Sequence, residues 1–78
     1  MDIEKLNLAI GAEVREARIS KGYGRAKMAQ LSGLSASTIQ RIENGERPAD
    51  INQMAKICEA LDEDIPELID RALIAIGE

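Results

Sequence analysis

Residues 21–47 read KGYGRAKMAQLSGLSASTIQRIENGER, and this stretch decides the fold. Gly24 suits an N-cap, and the residues after it predict a short helix over about 25–32, with Tyr23 placed to staple onto Met28. Gly33 ends that helix. Only Leu34 and Ser35 separate it from the next, and Ser35 is a preferred N-cap for a helix over about 36–43. Within this helix, the third in chain order, Ile39 and Ile42 point one way, while Ala36, Ser37, Gln40 and Arg41 point the other. Two short helices joined by a turn containing Gly33 have the lengths and spacing of a helix-turn-helix.

The flanks extend the same pattern. Ile3, Leu6, Ile10, Val14 and Ala17 recur at spacings of three and four, predicting an amphipathic first helix over about 3–20 that Gly22 stops. After the second and third helices, Asn44-Gly45 breaks the chain and Pro48 keeps it extended. Asp50 with Gln53 forms a capping box for a fourth helix over about 51–61, with Ile51, Met54, Cys58 and Leu61 as its inward stripe. Asp64 with Glu67 repeats the device for a fifth helix over about 65–76, and Pro66 falls in its first turn. There is no strand pattern, internal repeat or low-complexity linker. The expectation is an all-α, compact five-helix unit in which residues 1–78 form a single domain, with 25–43 as its core motif.

Composition narrows the chemistry. The 78 residues include no Phe, Trp or His, and Tyr23 is the sole aromatic, so the core must be aliphatic. Without His there is no Ser–His or Cys–His pair and no imidazole metal ligand. The carboxylates Asp62, Glu63 and Asp64 sit at a helix start without the spacing of calcium ligands. Cys58 lies on an apolar stripe and reads as a small core hydrophobe. These features predict no enzyme, no metal and no cofactor. No apolar run approaches the roughly 20 residues of a membrane span, and MDIEKLN lacks the build of a signal peptide, so the expectation is no membrane partner and a cytoplasmic location.

Net charge is −4, which at first sight disfavours nucleic acid, but the charge is unevenly spread. Residues 1–20 carry −1, residues 21–48 carry +3 and residues 49–78 carry −6. Charge alone does not separate an anion-binding face from ordinary surface scatter. The placement of the cations does more. Helices 4 and 5 open with acidic residues, as the helix dipole favours, whereas helix 2 opens with Arg25 and Lys27. An arriving phosphate resolves this conflict by pairing with the guanidinium and the free backbone N–H groups together.

The stretch 21–47 resembles the Cro/phage-repressor (Xre) helix-turn-helix family, most clearly at Met28-Ala29, Gly33-Leu34-Ser35, Ser37-Thr38-Ile39 and Arg41-Ile42-Glu43-Asn44-Gly45. RPADINQMAKICEALDEDIPEL, which follows, resembles the family's fourth helix and the start of its fifth. The resemblance implies a lambda-repressor-like fold and binding to double-stranded DNA. Helix 3 would enter the major groove, where Ala36, Ser37, Gln40 and Arg41 are the residues available for base readout. Arg41 suits guanine, Gln40 suits adenine, and Ala36 offers a methyl to thymine. Ser37 is equally suited to a local backbone contact in the first turn. Arg25, Lys27, Ser35, Thr38, Asn44 and Arg47 are the expected phosphate contacts. In the loop after helix 3, Asn44 tolerates left-handed geometry, which leaves open a structural loop with Arg47 alone on phosphate. The sequence departs from the family where Gly24-Arg25 replaces a Thr-Gln pair and where Glu46 replaces a Lys. Arg18 and Glu43 match positions that pair as a buried salt bridge in phage repressors.

Helix 5 carries more apolar surface than a core of this size needs. Leu68, Ile69, Ala72, Leu73, Ile74 and Ile76 are the expected dimer interface, because exposed apolar surface on a small domain marks contacts and the family commonly pairs through this region. The resulting expectation is a homodimeric DNA-binding regulator on a palindromic operator, of the phage-repressor or restriction–modification controller type. The competing reading is an antitoxin or interaction module whose acidic half binds a protein, with DNA binding secondary.

Overall fold

Each helix begins where a capping residue stands. In the computed structural model, which describes residues 1–77, the order is α1 (Ile3–Ser20), α2 (Arg25–Ser32), α3 (Ala36–Glu43), α4 (Ile51–Leu61) and α5 (Ile65–Ala75), with no strand among the described residues. The last residue of the expected domain, Glu78, lies outside them. The Asp2 carboxylate accepts the Lys5 N–H at 3.1 Å to open α1, and Ser35 Oγ accepts the Thr38 N–H at 3.0 Å to open α3. At α4 the capping box is complete: Asp50 accepts from Gln53 N–H at 2.8 Å, and Gln53 Oε1 accepts from Asp50 N–H at 3.0 Å. At α5 only half of the expected box is made, with Asp64 accepting the Glu67 N–H at 3.4 Å. α2 starts at Gly24 with no side-chain cap at all.

α1 packs against both α3 and α5, and α2 against α3 and α4, so α3 is held on two sides. The core is Val14, Met28, Ile39, Ile42, Met54, Ile57, Cys58, Leu61 and Leu68, with Tyr23 and Leu34 packed at its margin. Burying one such aliphatic side chain contributes about 1.5–3 kcal/mol. The turn between α2 and α3 is fixed in two ways. Gly33 adopts φ 75°, and the buried Ser32 hydroxyl donates to the Met28 carbonyl at 2.7 Å while accepting the Leu34 N–H at 3.2 Å.

Four expectations need correction. Ile3 and Ile51 are not core residues but are 59% and 70% exposed. Each is the first residue of its helix, and because helical side chains tilt toward the N-terminus, theirs project past the end of the packed surface. Ile57 is buried instead and completes the inward stripe with Met54, Cys58 and Leu61. Asn44 is right-handed, at φ −83° and ψ −2°, and Gly45 takes the left-handed turn at φ 72°. The fifth helix ends at Ala75, with Ile76 as its C-cap.

Candidate nucleic-acid interface

The exposed face of α3 follows from its period. Ile39, Ile42 and Glu43 are buried, and the residues on the opposite arc, Ala36, Ser37, Gln40 and Arg41, are all exposed. None of the four expected readers is consumed by the core. Of the expected phosphate contacts, Lys27, Ser35, Asn44 and Arg47 are exposed and Thr38 is half-buried. The Ser35 hydroxyl is already engaged, accepting the Thr38 N–H and donating to Thr38 Oγ1 at 2.9 Å, so these two residues first serve the start of α3.

Arg25 is held in a way the linear sequence does not signal. Its Nη2 lies 3.4 Å from Glu43 Oε1, its Nε is buried without a hydrogen-bond partner, and its side chain is 37% exposed. The same carboxylate receives Arg18 from α1: Nε donates to Oε2 at 2.7 Å and Nη2 to Oε1 at 3.0 Å. Arg18 Nη1 donates to the Tyr23 carbonyl at 2.8 Å, tying the α1–α2 connection to the same group. Glu43 thus joins α1, α2 and α3 through one enclosed carboxylate. Its hydrogen bonds raise the Arg18 pKa further above that of an ordinary arginine, against the opposing effect of burial. The expected Arg18–Glu43 bridge is present; the link to Arg25 is additional.

Gly11 is the other residue missed from the sequence. A Cβ there would press into the Ile42 carbonyl oxygen and stand 2.7 Å from that of Glu43. α1 and the end of α3 are therefore in backbone contact, which sets the distance that Arg18 spans. A glycine in mid-helix is the signal that close approach leaves in a sequence.

At the far end, the expected dimer residues separate into two sets. Leu68 and Ala72 are fully enclosed in their own domain and leave the candidate interface. Ile69, Leu73 and Ile76 are half-buried, and Ile74 is 66% exposed. Beside Ile74, Arg71 pairs with Glu13 of α1 at 2.8 Å and with Glu63, lining a cleft of about 810 Å³ between α1 and α5. Cys58 is buried; burial pushes its thiol pKa up, and Glu63 and Asp64 add to the shift. No helix among the described residues is long and apolar enough to cross a membrane.

Two packed helices joined by a glycine turn, the second with an exposed polar face, define a helix-turn-helix protein. The helix-turn-helix family model matches residues 14–68, and the chain belongs to that family, of the Cro/phage-repressor (Xre) type. A protein of Pyrococcus furiosus with the provisional name HTH-type transcriptional regulatory protein is 33% identical over 60 residues, covering 77% of this chain and 19% of its own length. This chain thus spans about a fifth of that relative. The restriction-modification controller protein C.AhdI from Aeromonas hydrophila superposes with a TM-score of 0.75 at 34% identity, over 78% of this chain and 92% of that one. The clp gene regulator ClgR from Corynebacterium glutamicum superposes with a TM-score of 0.86 at 25% identity, over 92% and 94%.

Proposed function

We propose that this protein is a sequence-specific transcription regulator that binds a palindromic operator as a homodimer and acts most simply as a repressor, by occluding polymerase. The observation that carries the reading is the two-sided construction of α3: Ile39, Ile42 and Glu43 are locked inside, and Ala36, Ser37, Gln40 and Arg41 are presented outward. An α-helix of this kind fits the major groove of B-DNA, with the residues near its N-terminus reaching base edges. Arg25, Lys27 and Arg47 supply cations around it. The restriction-modification controller and the clp gene regulator, whose folds match, support a regulatory role.

Dimerisation follows from affinity. One unit of net charge −4 buries too little DNA-facing surface for tight specific binding, whereas two linked units multiply their half-site affinities. The aliphatic surface at Ile69, Leu73, Ile74 and Ile76 is the proposed contact, with Asp62 and Asp64 at its rim in water. The test is selection of bound sites from a random duplex pool, followed by sedimentation of the complex. Expected is an inverted repeat with half-site centres about 34–36 Å apart and two chains per site. Failure to enrich any sequence would remove the regulator reading; enrichment of a single half-site bound by one chain would remove the dimer.

A further inference from the structure

We propose that Glu43 is a positioning residue for Arg25, anchoring the inner edge of its guanidinium so that the outer end meets a DNA phosphate. This rests on the DNA-binding reading above and concerns how that surface is built. The Glu43 carboxylate is completely enclosed and already fixed by two bonds from Arg18, so it is a rigid anchor. Arg25 Nη2 lies 3.4 Å from it, and the adjacent Nε is buried. The Nε–Nη2 edge thus faces the protein on a side chain 37% exposed, and we assign Nη1, with its two N–H donors, to the phosphate. α2 opens at this residue with no acidic side chain in its first turn and no side-chain cap, so its first-turn N–H groups are left free for the same anion. The Arg18–Glu43–Arg25 cluster carries one net positive charge, which the phosphate neutralises. Only a guanidinium can do this: its separate N–H groups serve the carboxylate and the phosphate at once, whereas a lysine ammonium is a single point of charge.

Binding of the selected operator across a salt series, with thermal melts to confirm folding, tests the assignment. Arg25→Gln should weaken binding to all sequences alike and flatten the salt slope by about 0.9 per half-site, about 1.8 for the dimer on its operator. Arg25→Lys should retain the parent's slope but bind several-fold more weakly at every salt concentration. Glu43→Gln should weaken binding in the parent but have no further effect in the Arg25→Gln background. Parent-like affinity for Arg25→Lys would show that charge alone suffices and would overturn the proposal. Equal weakening by Glu43→Gln in both backgrounds would also overturn it, leaving Glu43 a purely structural brace. If Glu43→Gln does not fold, the Arg25→Lys comparison decides. An unchanged slope for Arg25→Gln, with operator selection by the parent intact, would overturn this inference and leave the DNA-binding reading standing; a parent that selects no DNA would remove both.

Discussion

Arg18 and Glu43, 25 residues apart in the chain, form a buried two-point ion pair at 2.7 and 3.0 Å that fixes α1 against the end of α3. Removing Arg18 leaves the enclosed Glu43 carboxylate with only its longer 3.4 Å contact to Arg25. Arg18→Met should cost about 3–5 kcal/mol in urea unfolding. Replacing both, as Arg18→Met with Glu43→Leu, should cost less than the single change, because no stranded charge remains at that pair. A double variant as unstable as Arg18→Met would place the energy in shape rather than in charge.

Gly11→Ala should destabilise the domain by about 1–3 kcal/mol, although alanine is the better helix former by about 1 kcal/mol. The added methyl meets backbone carbonyls of Ile42 and Glu43, which cannot rotate away as a side chain would. Thermal melts of the two proteins check this, and a stabilised variant would contradict the close helix contact.

Arg41→Ala should weaken the best operator by about 1–3 kcal/mol per half-site and flatten preference at one base pair in each. Lys27→Ala should weaken all sequences alike and reduce the salt slope by about one unit per half-site. Competition binding with single-base operator variants separates the two. The reverse assignment would exchange the roles of α2 and α3.

Ile74→Lys should yield a folded monomer, since Ile74 is exposed and outside the core. Sedimentation should show the loss of dimer together with the loss of operator binding at concentrations where the parent binds. An unchanged dimer would move the contact to another face.

Cys58 supplies a pH dependence. Burial raises its pKa in the folded chain, so the folded state holds the proton more tightly than the unfolded thiol, whose pKa is about 8.5. Its contribution to stability is fully present below that pH and is lost as pH rises through the higher folded value. Melting temperature should fall above about pH 8.5 in the parent and fall less in Cys58→Ala. Identical alkaline profiles would exclude the thiol as the cause.

The bounds of α1 through α4 were legible because the signals are local: Gly33, Ser35 and Asp50 act on backbone groups within three residues of themselves. The outward arc of α3 was legible for a similar reason, because the helical period separates Ile39 and Ile42 from Gln40 and Arg41. Where local signals end, the reading loosened. Ile51 and Ile57 are both isoleucines in one helix, and which of them is buried depends on how far the neighbouring surface extends past the helix end.

By itself, then, the sequence determined the helix-turn-helix, its turn and the outward face of α3, because period and capping are properties of neighbouring residues. The tertiary structure alone decided that Gly11 is a contact point, that Leu68 and Ala72 are sealed inside, and that Arg25 shares Glu43 with Arg18. These depend on distances between helices, and such distances exist only once the helices have packed together.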